Sequence, residues 1–510
     1  MKKIISILLC LLMVAGIVSA FPVFAGADEP AVWDGTVASG FEGGTGTSAD
    51  PYLIANGAQL AYMAKQVNSG ANNGAYRTAS YKLVADIVLN EGDAATWAET
   101  APANTFTPIG IADNGTDDGS WRKGAFNGNF NGNGKTISGV YVVNETSASK
   151  NAGTGLFAIL GANAKVRSFA VVNSYISANK AAGVIGLALT SNSLSVESIF
   201  SGALVNAVEA GAGGIVGQLS ANSGETGGGR ISSCAFSGIV TAPTIAGGIL
   251  ANGNGKKITV ADCLFTGTAT ANSYNSGIVG RNDSGDCSVT GCISVGTARY
   301  HFLGAKNENT TTVITNCYYV GELSNKNAIA ENCVQLESIG AIIGSGVDAT
   351  VTSALSNWSV RDGDIMVPTG VLALAPQMFK LVYTVTWVDE DENVLATEEY
   401  DIGVTPEYKG ETLTKAEDDM YTYTFSGWSP QITPVSEDIT YKAEFFKTRK
   451  NVVLEEETEH GTEAPATEAP ATETDAVEED GCGSVVGYGA AAIVAIISTG
   501  FAVVTKKKED

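Results

Sequence analysis

The sequence predicts an all-β protein whose body is a parallel β-helix, a solenoid in which each repeat forms one coil. Three observations predict it. Apolar knots framed by glycine recur from about Gly155 to Gly304: GLFAIL from Gly155, GVIGLAL from Gly183, GGIVGQL from Gly213, GGILANG from Gly247 and SGIVGRN from Ser276. A second phrase alternates with them, in the order VRSFAV, VESIFSG, ISSCAFSG, ADCLFTG, TGCISVG, TNCYYVG. Each pair of phrases spans roughly 30 residues, within the range of repeat architectures. The segments are short, rich in Val, Ile, Phe, Ser and Thr, and broken by Gly and Asn, which reads as strands joined by tight turns. A single unit cannot bury its apolar side, whereas stacked units share one columnar core.

Length and composition allow such a column with appendages. The chain has 510 residues, too many for one compact core, and 60 glycines, as strand–turn repeats require. Charged residues are 16%, too few for a disordered polyelectrolyte. The net charge of −24 argues against nucleic acid and anionic lipid as partners.

Residues 1–25 read as a secretory signal. Lys2 and Lys3 precede an apolar run from Ile4 to Val18, and VFA at Val23–Ala25 or AGA at Ala25–Ala27 supplies a small-residue cleavage site. A retained anchor helix is the alternative. Residues 28–154 form an entry module and the first coils. Asn56 is placed to cap a helix in which Leu60, Met63, Ala64 and Val67 share one face. Such a helix would cover the open end of the solenoid and block edge-to-edge pairing. Asp34, Asp50 and Asp86 read as turn and cap residues rather than catalytic carboxylates. DNGTDDG at Asp113–Gly119 lacks the spacing and closing Glu of an EF-hand and reads as a solvated loop. The run from WDG through GTSADPYLI and QLAY to FNGNFNGNGKTISG resembles the start of clostridial-type extracellular β-helix proteins.

Residues 155–335 carry the repeat. Its knots, marked by Gly155, Gly183 with Gly186, Gly214 with Gly217, Gly248, and Gly277 with Gly280, resemble the GLUG-motif repeats of bacterial surface proteins. Val or Ile stands here for the Leu of that motif, and the knot at Gly248 ends in Ala251. The resemblance implies a surface β-helix and names no ligand. Cys234, Cys263, Cys292 and Cys317 hold the same place in four successive repeats, with Cys287 and Cys333 additional. Neighbouring rungs of a parallel sheet stand roughly 4.8 Å apart. The cysteines therefore read as an inward ladder of small hydrophobes, and export leaves disulfide bridges open as well. No CxxC pair accompanies them, so zinc is not expected. Asp262, Asp283, Asp286 and Glu308 fall at phrase junctions and do not recur at one coil position. The faces between knots carry mainly Ser, Thr, Asn and Ala.

Residues 336–380 read as an exit connector in which Trp358 closes the far end of the column. Residues 381–447 alternate strictly, with Tyr383, Val385 and Trp387 on one face. Their pattern TVTWVD, TFSGW, ITYKAEF resembles the Listeria–Bacteroides, or internalin-type B, repeat. That resemblance implies a small β-grasp-like domain used as an extracellular spacer or interaction module. Residues 448–484 form an acidic Thr/Pro/Glu stalk, extended by proline and like-charge repulsion. The apolar run 485–505 is about 21 residues, long enough to span a bilayer. Residues 506–510 follow as a cytoplasmic tail, with Lys506, Lys507 and Lys508 placed inside by charge bias. The arrangement resembles the C-terminal anchors of Gram-positive surface proteins, but GCGS, with Cys482, stands where LPxTG would be expected.

The sequence thus predicts an exported, membrane-anchored surface protein without catalysis or cofactor, binding an extracellular glycan or protein ligand. The alternative is an anchored polysaccharide lyase or glycoside hydrolase on the same scaffold.

Overall fold

The computed structural model describes residues 30–450, apart from 112–123, 145–152, 192, 222–226, 324–327, 344–346, 348, 361–364, 378–381, 402–403, 434 and 436–437. The expected signal 1–25, the loop Asp113–Gly119, the stalk beyond 450, the run 485–505, Cys482 and Lys506–Lys508 all lie outside the described residues. Among the described residues no helix is long and apolar enough to cross a membrane.

The body is a column of parallel strands. Phe157, Ile185, Val216, Leu250, Val279 and Leu303 stand in register on successive coils. Beside the main sheet run a five-stranded sheet, from Tyr141–Asn144 to Thr268–Ala271, and a four-stranded one, from Ala181–Ala182 to Tyr274–Ser276. Their inner faces enclose one core, which Phe130 joins edge-on to Phe157 and Phe169 at 5.2 and 5.3 Å. The column begins where Tyr52–Ile54 pairs with Ser80–Leu83, which pairs in turn with Asn129–Ser138. Helix α1, Gly57–Ser69, lies over these first coils. The Asn56 side chain accepts from Gln59 N at 3.0 Å, and Leu60, Met63, Ala64 and Val67 sink into the core.

Two sequence features build the corners. The residue ahead of each second-phrase rung is left-handed: Ser168, Ser198, Ser233, Asp262, Gly291, Asn316 and Asn332 have φ of 52° to 62°. That region is uncommon except for Gly, Asn and Asp, so a turn recurs there coil after coil. The knot glycines serve close approach instead. A Cβ on Gly214 would strike the Gly248 carbonyl and the Phe236 ring, and one on Gly248 would strike Gly277 and Phe265.

The connector departs from expectation. It does not close the far end. It turns back as a strap along the outside of the column, because the outward residues Ala170, Phe200, Ala235, Leu264, Ile293 and Tyr318 form an apolar stripe that needs cover. Ile342, Leu355, Trp358, Met366, Val371 and Leu374 supply it. Trp358 lies on this flank, its Nε1 donating to the Gly291 carbonyl at 3.2 Å, and Asn357 Nδ2 donates to Asp262 Oδ2 at 3.0 Å. The strap's last helical turns, Thr369–Gln377, pack against Asn129–Ser138, Lys165–Val172 and Ser195–Ser201, near the beginning of the column.

Residues 382–449 make a separate four-stranded sheet in the order Val394–Asp401, Val382–Val388, Ile439–Arg449, Tyr421–Ser429. Its two central strands are parallel and its outer pairs antiparallel. The alternation of the sequence is why one face gathers Val385, Trp387 and Tyr441, with Trp428 edge-on to Trp387 at 4.6 Å.

Candidate binding face

The strands Lys165–Val172, Ser195–Ser201 and Gly229–Ser232 stack in parallel, and alternation sends every second residue outward. Lys165, Ser195 and Arg230 therefore form one outward row, and Arg167 and Glu197 lie two residues along from its first two members. With Ser193 they line a notch of about 480 Å³. On the next coil Thr259 continues the row, and Lys257 stands two residues before it. Lys165, Arg167, Arg230 and Lys257 are exposed. None of the four makes an ion pair or side-chain hydrogen bond with another described residue. The result is a strip of unpartnered cations, with Glu197 among them, on a chain whose net charge is −24. It can hold anionic groups along the coil axis through charge-assisted hydrogen bonds.

The sequence reading missed this strip. Acids do not recur at one position of the coils, and the faces between knots read from sequence as Ser, Thr, Asn and Ala. The rows do contain Ser195, Ser232, Thr259 and Ser288, but two arginines and two lysines converge among them. The spacing of Lys165 and Arg167 from Arg230, two repeats further along, was the available signal.

Of the acids the sequence singled out, Asp34, Asp50 and Asp86 lie in loops, whereas Asp283 and Asp286 lie within the strand Val279–Thr290. Asp34 Oδ1 accepts from Thr36 Oγ1 and N at 2.6 and 3.0 Å, and these bonds lower its pKa. The Asp50 carbonyl accepts from Thr45 N and Gly46 N, and Asp86 Oδ1 accepts from Thr136 N at 2.8 Å. Asp283 pairs with Arg281 at 2.6 Å, while Asp286 lies in register with Lys257. A second hollow, of about 460 Å³ beside α1, is lined by Trp33, Lys65 and Asn68. The Asn68 amide is already engaged there by Gly110 N, Ile111 N and the Pro108 carbonyl.

The four repeated cysteines point into the core and are unbridged. Each thiol reaches the carbonyl two residues back: Cys234 to Ser232 at 3.3 Å, Cys263 to Ala261 at 3.2 Å, Cys292 to Thr290 at 3.5 Å and Cys317 to Thr315 at 3.3 Å. Cys333 is a fifth rung, since Val334 pairs with Tyr318. Cys287 belongs to another row, between Ile258 and Thr312, where burial pushes its thiol up to about 12. Among the described residues no group of three or more His, Cys, Asp or Glu is arranged to hold a metal ion.

No protein-family model matches the chain. Halomucin of Haloquadratum walsbyi is 30% identical over 189 residues, covering 37% of this chain and 2% of that protein. A "putative Gly-rich membrane protein" of Evansella cellulosilytica is 32% identical over 157 residues, 31% of this chain and 15% of that one. The chain thus spans only a small part of the curated relatives it matches. A Bacteroides ovatus crystal structure, described as a "putative immunoglobulin A1 protease", aligns with a TM-score of 0.44 at 17% identity, over 65% of this chain and 95% of the other.

Proposed function

We propose that this is a non-catalytic surface protein whose β-helical head binds an anionic extracellular ligand, a glycan or an acidic protein. The observation that carries the reading is the strip of Lys165, Arg167, Arg230 and Lys257, exposed and without an ion pair to another described residue. Cations left unpaired on a strongly acidic chain repel one another and gain most from an external anion. The repeats belong in this reading to the GLUG class. The module 382–449, with its parallel central pair, serves as a β-grasp-like spacer of internalin type. Residues 485–505 hold the protein in the membrane, and the acidic stalk keeps the head clear of it. Part of the similarity supporting a surface location comes from the relative described as a membrane protein.

The notch holds one carboxylate, Glu197, among its cations, whereas glycoside hydrolysis ordinarily needs two carboxyl groups at a fixed separation. The test incubates residues 28–447 with immobilised neutral, carboxylated and sulfated glycans and with acidic matrix proteins, scoring retention and depolymerisation together. Retention on anionic matrices, weakened roughly tenfold or more in R167A/R230A (about 1.4 kcal/mol per decade), is the expected result. New reducing ends or unsaturated sugars would replace this reading with that of a polysaccharide-degrading enzyme. Equal retention of the double variant would remove the strip from it.

A further inference from the structure

The cysteine ladder has a closed side and an open end. Cys234, Cys263, Cys292 and Cys317 are buried, while Cys333, on the last coil, is half-buried. The strands around Cys333 are exposed: Ile329 keeps 53% and Val334 41% of their surface. Because Tyr318 pairs with Val334, the residues just before them, Cys317 and Cys333, face each other on neighbouring rungs. Rungs roughly 4.8 Å apart fall inside the Cα separation that a disulfide tolerates. The two thiols lie close enough to influence each other's ionisation. Cys333 Sγ reaches the Glu331 and Ile314 carbonyls, at 3.7 and 3.8 Å.

We infer that Cys317 and Cys333 are a redox modification site that closes as a single disulfide, leaving Cys234, Cys263 and Cys292 as permanent thiols. The spacing is shared by every neighbouring pair, so access decides which pair reacts. The oxidant is a small disulfide such as oxidised glutathione. The Cys333 thiolate attacks one sulfur of that disulfide and expels the other as a thiolate. The Cys317 thiolate then attacks Cys333 Sγ in the mixed disulfide and expels the second glutathione. One disulfide is reduced to two thiols, two cysteines are oxidised, and the two cysteine protons pass to the released thiolates. The neighbouring Cys317 thiol, and then burial, raise the pKa of Cys333, so the first step accelerates with rising pH. The bond would pin residues 328–336 to the column at the point where the strap departs. The inference does not depend on what the head binds.

The test exposes the full chain, prepared reduced, to oxidised glutathione under native conditions and maps each cysteine by peptide mass spectrometry. Cys482 is followed on its own peptide. The expected result is one cross-linked pair, Cys317 with Cys333, with Cys234, Cys263, Cys287 and Cys292 alkylated only after denaturation. Brief native iodoacetamide treatment of the unaltered chain should label Cys333 first among these six. C333S should then leave Cys317 unoxidised. A stable glutathione adduct on Cys333, a cross-link higher in the ladder, or no reaction of Cys333 in the native chain would each overturn the proposal.

Discussion

A methyl group is the unit in which the knots are specified. Gly214 has no room for one, because the next coil's Gly248 carbonyl and the Phe236 ring already occupy the place. Gly214→Ala should therefore cost about 1–3 kcal/mol, the range for overpacking, read as a lower denaturant midpoint. Ala251 ends its knot where Gly217 and Gly280 end theirs, so Ala251→Gly should change stability by less than Gly214→Ala does. His301 offers a pH test at the same scale. Burial lowers its pKa below the ordinary 6.5, opposed by the hydrogen bond between Nε2 and the Glu322 carbonyl at 3.0 Å. A folded-state pKa below the unfolded one means the unfolded chain takes up the proton first, so stability falls as pH drops through about 6.5. Thermal melts between pH 7.5 and 5.5 should show this slope, and His301→Gln should flatten it. An identical slope in the variant would assign the pH dependence to other groups.

At the scale of elements, the covered flank is the feature with the clearest consequence. Trp358 is buried between the strap and Gly291. Trp358→Ala should cost about 3–5 kcal/mol, as large aromatic deletions do, and should expose residues 336–377 to protease before the coils. A cleavage pattern unchanged from wild type would show that the strap holds without it. Asn56→Ala removes the α1 cap and should cost about 1 kcal/mol. How legible these elements were differs for physical reasons. The helix was legible because its cap and its 3.6-residue spacing lie within a dozen residues. The coils were legible because the knots repeat. The strap was not, although Cys263-Leu264-Phe265 and Cys317-Tyr318-Tyr319 carry apolar residues on both faces, a mark of strands buried on both sides. What covers the outer face comes from residues far along the chain, and no local pattern names it. The cationic strip was missed similarly, because Lys165 and Arg230 meet only through the register of three coils.

For the whole molecule, the proposed anchor supplies the plainest test. Deleting Val485–Asp510 should release the protein into the medium, since the described coils bury their apolar residues in the column. Protein that stays with the cells through a high-salt wash would point to another tether. The proposed binding face has its own whole-molecule signature. Exposed charges are screened over about 8 Å at physiological ionic strength, so retention of an anionic ligand by Lys165, Arg167 and Arg230 should weaken steadily with added salt. Salt-independent retention would place the binding energy in another part of the head.

The return of the strap also sets how the column bears force. A solenoid pulled from its last coil would peel, one coil giving way after another at low tension. Here the chain does not leave from the last coil. It leaves from Thr369–Gln377, beside Lys165–Val172 and Ser195–Ser201. Tension arriving from the C-terminal side meets the strap first and loads its contacts with Phe200, Leu264 and Ile293 together, in shear rather than one at a time. A head tugged through the proposed tether would hold as a unit until the strap slid, and then fail abruptly.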